Sequence, residues 1–266
     1  MSILQIYDMQ VTGNRLQVAA HKFFCNLNLQ SATCYLQPAN SNFALMKAYL
    51  IPGLAADKRV FRHIHLPDGF DAHYIEWIKP EHKESLAAYA LRLAGQIDTE
   101  QPYILIGLSF GGMLAVEIAK KFPPKQLILI ATVPHHTHLP SYYKKAFALG
   151  VHKLASPGMI KNFVYFKRFF TSESREDKII IKQMARDMDH AFIRWAVEAI
   201  MQWDAGAEEI DCFHIHGTHD EIFPHRYTRP SFSIPNAGHL MIFNRAADIN
   251  SVLDRILREG IFAIHM

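Results

Sequence analysis

Tyr103-Ile104-Leu105-Ile106-Gly107-Leu108-Ser109-Phe110-Gly111-Gly112 is the stretch on which the reading of this chain turns. Residues 103–106 form a short apolar run of the kind that makes a fully buried strand. The residues after it fit G-x-S-x-G, a serine held at the tip of a sharp strand-to-helix turn. That turn strains the serine backbone, and side chains two positions to either side would collide, so glycine stands at both places. A helix over about 111–121 follows and stops at Pro123-Pro124. Its free N–H groups, beginning with that of Phe110, are aimed at any oxyanion that forms beside Ser109.

Outward from this stretch, strand and helix patterns alternate. Residues 47–51 are a short apolar run ended by Pro52-Gly53, and 72–77 repeats that pattern. Residues 85–97 carry Leu86, Tyr89, Ala90 and Leu93 at helical spacing, with Glu81 and Glu84 near the start, where the helix dipole favours anions. Residues 126–131 and 211–216 read as further strands, and 244–258 as an amphipathic closing helix. Such alternation predicts an α/β fold, a mostly parallel sheet with helices on both faces. Between the strands ending near Ala131 and starting near Asp211 there is helical character only. Ser174-Arg175-Glu176-Asp177 resembles a capping box, and Phe192, Trp195, Ala196, Ala199, Ile200 and Trp203 keep an apolar stripe. A structureless connection of that length is implausible in a compact domain, so a helical cap inserted at about 134–208 is expected. Residues 1–45, rich in Gln, Asn, Ser and Ala with weak periodicity, are set apart as an N-terminal segment whose role the sequence leaves open. The main domain is then 46–266.

Composition narrows the partners. The chain has 266 residues, half of them hydrophobic, and a net charge of +3, which excludes a disordered chain. The 28 Lys+Arg against 25 Asp+Glu leave too small an excess for a nucleic-acid binder. No Lys/Arg block forms a phosphate-tracking stripe, so no nucleic-acid partner is expected. No apolar run approaches 18 residues, so no membrane span is expected. The first residues lack a basic n-region and an apolar h-region, which argues against a secretory signal. Three cysteines make no disulfide framework, and a cytoplasmic setting is expected. The oligomeric state is not readable.

A serine hydroxyl is a weak nucleophile and needs a base held by an acid. Asp220 stands in Gly217-Thr218-His219-Asp220, just past the carboxyl end of a strand, where sites in open α/β sheets form. Glu221 is the neighbouring alternative. Among 16 histidines, His239 is the one that follows this acid in a glycine-containing loop (Asn236-Ala237-Gly238-His239) before the last helix. His225 also lies between them, but after Pro224 and with no strand before it. Ile51-Pro52-Gly53-Leu54-Ala55-Ala56-Asp57, after an early strand, offers a second backbone N–H for an oxyanion, from Leu54 or alternatively Ala55.

With these four elements in this order, the chain from about residue 46 to 266 resembles the α/β-hydrolase superfamily, in particular its small esterase-like members with a helical cap. Tyr49-Leu50-Ile51-Pro52-Gly53, Gly107-Leu108-Ser109-Phe110-Gly111-Gly112, His216-Gly217-Thr218-His219-Asp220 and Gly238-His239 carry the likeness. The resemblance implies a catalytic triad of Ser109, Asp220 and His239, an oxyanion hole from the amides of Leu54 and Phe110, a small-molecule substrate, and neither metal nor organic cofactor. The longer His-Gly-Gly oxyanion motif of many lipases is absent, and residues 1–45 take no part in the likeness.

The residues also admit two rival classes. His214, His216, His219 and Asp220, with His135, His136 and His138, offer metal-ligand residue types, yet their H-x-H-x-x-H-D spacing is not the H-x-H-x-D-H of binuclear metallo-hydrolases. His214 and His216 instead suit a packed core. A non-enzymatic small-ligand receptor on the same fold is the other alternative, because fold does not fix function. Within enzymes, serine at the elbow points to an acyl-enzyme, with ester or thioester hydrolysis leading. Acyl transfer and lactone, amide or C–C cleavage use the same residues. In the cap, Tyr142, Tyr143, Phe147, Phe163, Tyr165, Phe166, Phe169 and Phe170 read either as an apolar pocket lid or as the cap's own packing. Lys144, Lys145, Lys161, Lys167 and Arg168 read as its solvated face.

Overall fold

A computed structural model of the chain describes residues 45–149 and 173–259, and the backbone of residues 8–12, 15–20, 23–28 and 34–38. The chain divides into two compact units, Met1–Ala44 and Leu45–Met266.

In the first unit, β1 (Asp8–Thr12), β2 (Arg15–Ala20), β3 (Phe23–Asn28) and β4 (Cys34–Pro38) form an antiparallel sheet in sequence order. The register Thr12↔Arg15 leaves only Gly13-Asn14 between β1 and β2. Weak periodicity hid these strands: their Gln and Asn residues have low β propensity, and each run is only five or six residues long.

The second unit is built on a six-stranded sheet, order β10-β9-β8-β7-β5-β6, in which every pairing is parallel. Its strands are β5 (Met46–Ile51), β6 (Phe70–Tyr74), β7 (Ile104–Leu108), β8 (Gln126–Ile130), β9 (Phe213–Gly217) and β10 (Phe232–Ile234). The expected strand at 72–77 lies two residues earlier, because Gly69, at φ +100°, turns the chain directly into it. Among the described residues the α-helices are α1 (Leu86–Leu93), α2 (Phe110–Lys121), α3 (Ser141–Ala148), α4 (Arg175–Asp187), α5 (His190–Met201), the single turn α6 (Met241–Asn244) and α7 (Ala246–Glu259).

Alternation along the strands divides the core between the two faces. Tyr49, Ile51, Leu105, Leu127 and Leu129 pack on one side with residues of α1, α2 and α5, such as Tyr89, Leu114 and Phe192. Ala48, Leu50, Ile104, Ile106, Ile128 and Ile130 pack on the other with Ile249, Leu253 and Ile256 of α7 and with Ile181 and Met184 of α4. A parallel sheet covered on both sides must be apolar throughout, and β7 is buried along its whole length.

α3, α4 and α5 all belong to the connection between the adjacent strands β8 and β9. Ser174 caps α4, accepting from the Asp177 N–H at 3.1 Å and donating its hydroxyl to the Asp177 carboxylate at 2.7 Å. The capping box is therefore one-sided, because Asp177 turns to the segment after β5 and takes contacts from His63 at 2.9 Å and Arg62 at 3.3 Å. Arg59 reaches Asp187, at the far end of α4, at 2.6 Å. In this connection Tyr142 is exposed and Tyr143 half-buried. Phe163, Tyr165, Phe166, Phe169, Phe170, Lys161, Lys167 and Arg168 lie outside the described residues, as do the side chains of Lys144 and Phe147.

Candidate active site

The sheet order places the site. From β5 the chain steps to β6 on one side, then to β7 on the other, so the sheet's topological switch point lies between β5 and β7, where open α/β sheets carry their sites at the carboxyl edge. Ser109 directly follows β7 and Leu54 follows β5. Ser109 sits at φ 52° and ψ −120°, a backbone state that costs a non-glycine residue on the order of 1–3 kcal/mol. Neighbours hold it there. Its N–H donates to the Ile130 carbonyl at 2.9 Å, and its own carbonyl accepts from the Gly112 N–H at 2.9 Å and the Thr132 hydroxyl at 2.6 Å. The two glycines of the elbow have distinct reasons. A Cβ on Gly107 would lie 2.5 Å from the Gly112 Cα, and one on Gly111 would lie 2.3 Å from the Pro52 carbonyl oxygen. The second glycine thus lets the β5 loop close on the elbow, and a Cβ at Gly53 would be 3.2 Å from that of Ser109.

Ser109, His239 and Asp220 are brought together from positions far apart in the chain. Ser109 Oγ is 2.9 Å from His239 Nε2, and His239 Nδ1 is 2.9 Å from Asp220 Oδ2. An ionised carboxylate can only accept, so Nδ1 carries the ring hydrogen and Nε2 is free to receive the serine proton. The Asp220 side chain is fully buried. Burial alone would raise its pKa. The charge and hydrogen bond of His239, the nearby His216 and the Phe223 N–H prevail and hold it below the usual carboxylate range. Its second oxygen, Oδ1, accepts from the N–H groups of Ile222 at 2.9 Å and Phe223 at 2.8 Å. Both acceptor directions of Oδ1 are therefore occupied, with Oδ2 left facing the imidazole.

Of the remaining candidates, the rival acid and the other histidines fall elsewhere, while Leu54 and Phe110 stand beside Ser109. Glu221 is exposed. His225 meets Ser233 Oγ at 2.9 Å, and His219 is exposed. Leu54 is partly buried in the β5 loop, which is tied down by a Trp77 Nε1–H bond to the Ala56 carbonyl at 2.7 Å. Ala55 takes φ 61° in the same loop. Phe110 is buried, its ring 5.8 Å from Trp77 and 6.2 Å from Trp195. His135 is engaged by Thr137 and by the Gly206 carbonyl, and the His136 ring accepts from the Ala205 N–H. Among the described residues no three His, Cys, Asp or Glu side chains gather as a metal site. Nor is any helix among them long and apolar enough to cross a membrane.

Two residues escaped sequence reading. Thr132, two past β8, fixes the Ser109 carbonyl, and its side chain fills the space that a Cβ at Gly112 would need. Nothing in the pattern after a buried strand announces this. His216, whose strand position suits a packed core, also reaches the turn that carries Asp220. Its Nε2 is 2.7 Å from the Phe223 carbonyl.

Comparison with known proteins agrees with this architecture. No protein of curated function matches the sequence. Among solved structures, the enol-lactonase from Burkholderia xenovorans superposes with a TM-score of 0.62 at 16% identity, covering 80% of this chain and 92% of that one. A thermophilic esterase from Thermogutta terrifontis gives 0.58 at 19% identity, covering 80% and 90%. The epoxide hydrolase from Bacillus megaterium gives 0.59 at 12% identity, covering 80% and 93%. At these identities the likeness is one of fold, the α/β-hydrolase fold. Family assignment rests on the sequence itself, which matches the Thioesterase domain family over residues 48–200. With more than half of its length in that match, the chain belongs to the Thioesterase domain family and is a hydrolase of the α/β-hydrolase type.

Proposed function

We propose that Ser109, His239 and Asp220 form a catalytic triad that cleaves a thioester or oxygen ester of a small apolar acyl group through an acyl-enzyme. The observation that carries this reading is the unbroken relay from Ser109 Oγ through both nitrogens of His239 to Asp220 Oδ2, each step 2.9 Å. His239 takes the Ser109 proton as Oγ bonds to the substrate carbonyl carbon. Asp220 holds the ring in the productive tautomer and stabilises its cation. The N–H groups of Leu54 and Phe110 receive the negative oxygen. The tetrahedral species collapses, the C–S or C–O bond breaks, and the leaving thiolate or alkoxide takes the proton from His239. Water then repeats the sequence, freeing the acid and Ser109.

Residues 46–266 are the catalytic unit in this reading, with the 134–208 insertion as its cap and residues 1–45 as an appendage. The Thioesterase family membership favours a sulfur leaving group, and the apolar neighbourhood of Phe110, Trp77 and Phe223 favours an uncharged acyl chain. A fluorophosphonate probe tests the proposal. It should label Ser109, labelling should vanish in Ser109→Ala, and pre-incubation with an acyl thioester should slow it. Native protein that stays unlabelled at neutral pH would favour a ligand receptor instead.

A further inference from the structure

Two histidines that the reaction above does not use lie directly behind its acid. His214 and His216 stand two apart on β9, hence on one face, and both are buried, His216 completely. His214 Nε2 is 3.2 Å from His216 Nδ1. His216 Nε2 is 2.7 Å from the Phe223 carbonyl oxygen and 3.5 Å from Asp220 Oδ2. A carbonyl oxygen only accepts, so His216 Nε2 carries a hydrogen and donates it. Phe223 passes this hold onward. Its N–H donates to Asp220 Oδ1 at 2.8 Å, and its ring meets that of His239 edge-on with centroids 5.5 Å apart. The preceding carbonyl, that of Ile222, is fixed from α3 by the Tyr143 hydroxyl at 2.8 Å.

We propose that His216 is a positioning residue for this hydrolase: by donating to the Phe223 carbonyl it locks the 220–223 turn so that Asp220 Oδ2 stays aimed at His239 Nδ1. The inference rests on the triad reading. Two imidazoles in the centre of a buried strand are costly to desolvate, and an apolar side chain would fill the space more cheaply. What an apolar residue does not supply is a donor for the buried Phe223 carbonyl, and with it a fixed orientation for the peptide that grips the acid. The ionisable groups facing His216 are Asp220 and His239, His225 from the turn after Pro224, with ring centroids 6.2 Å apart, and His214 on its own strand. Burial keeps the His216 ring below the ordinary histidine range, with Asp220 pulling the other way.

The test uses the full chain and p-nitrophenyl ester turnover as a function of pH. His216→Phe keeps a ring and removes the donor, whereas His216→Gln returns an N–H close to the lost Nε2. His216→Phe should lose roughly 10- to 100-fold in kcat with KM little changed, the scale of a misplaced catalytic group. The acidic limb of its kcat/KM profile should move to lower pH, because an Asp220 aimed away supports the His239 cation less. His216→Gln should recover most of both. Equal behaviour of native, Phe and Gln forms, or equal loss in both variants, would overturn the proposal. Ser109→Ala separates the two levels: if it is inactive while His216→Phe behaves as native, only the positioning role fails, and if it retains native turnover, the triad reading fails. Nitrogen-15 imidazole spectra of the native protein need no variant to fold. They should show His216 protonated at Nε2, and a ring protonated at Nδ1 alone would overturn the inference.

Discussion

The buried His214 makes stability depend on pH in a direction and by an amount that can be worked out. Its ring is shut away from water beside His216, and burial, reinforced by His216, pushes its pKa down from 6.5 to about 3. In the unfolded chain the same ring titrates near 6.5. Above that value neither state binds the proton, and the full stability is present. As pH falls from 6.5 towards 3, the unfolded state takes up a proton that the folded state refuses, and stability is lost. Between pH 7 and pH 5 one such histidine removes about 2 kcal/mol. His214→Phe keeps a ring of similar size and deletes the titration. Urea unfolding of both proteins at pH 7, 6 and 5 measures the difference. The variant's stability relative to native should improve by about 2 kcal/mol over that span, whatever its offset at pH 7. Parallel curves for the two proteins would refute the reasoning, since they would mean that the ring is protonated, or reached by water, in the folded state.

Other consequences are equally direct. Asp220→Asn should lower ester turnover on the order of 10⁴-fold, because the amide favours the wrong His239 tautomer, while Glu221→Gln should stay within a few-fold of native. The reverse result would reassign the acid. Ser109→Gly relieves the residue at φ 52°, so it should raise the urea midpoint by the equivalent of about 1 kcal/mol while abolishing fluorophosphonate labelling. An unchanged or lower midpoint would show that the elbow stores no strain. Removing residues 1–44 should leave a protein that unfolds cooperatively and still labels at Ser109, because the six-stranded sheet has helices and apolar residues on both of its faces without them. Insoluble product would make that segment part of the fold.

The parts of the molecule that were legible in sequence are those whose physics is local. The strand, elbow and helix around Ser109 are specified between Tyr103 and Pro124 by an apolar run, two obligatory glycines and a proline stop. The parallel sheet could be read from apolar runs alternating with helical stripes, because strands covered on both faces have no polar side to confuse the pattern. β10 leaves little signal in sequence because it is three residues long, lies at the sheet edge and exposes Ser233. The strands of residues 8–38 leave little because Gln and Asn blur their alternation. Asp220 and His239 could be named from their order and from the loops they occupy, but not their spacing in space. His216 marks the limit of this kind of reading. Its residue type was visible, yet its partner is a main-chain carbonyl, and a carbonyl has no sequence signature.

β8 and β9 lie side by side, although the chain between them travels through α3, α4 and α5 before it returns. An excursion that leaves and rejoins a rigid frame at neighbouring points is thermodynamically cheap to resize, at about 0.6 kcal/mol for each doubling of its length. Its anchorage lies in the helices: Phe192 of α5 enters one core, Ile181 and Met184 of α4 enter the other, and Asp177 and Asp187 meet Arg62 and Arg59. A descendant of this enzyme can therefore lengthen or shorten the excursion, provided the apolar residues of α4 and α5 that enter the two cores are kept, and acquire a new substrate preference with Ser109, His239 and Asp220 untouched.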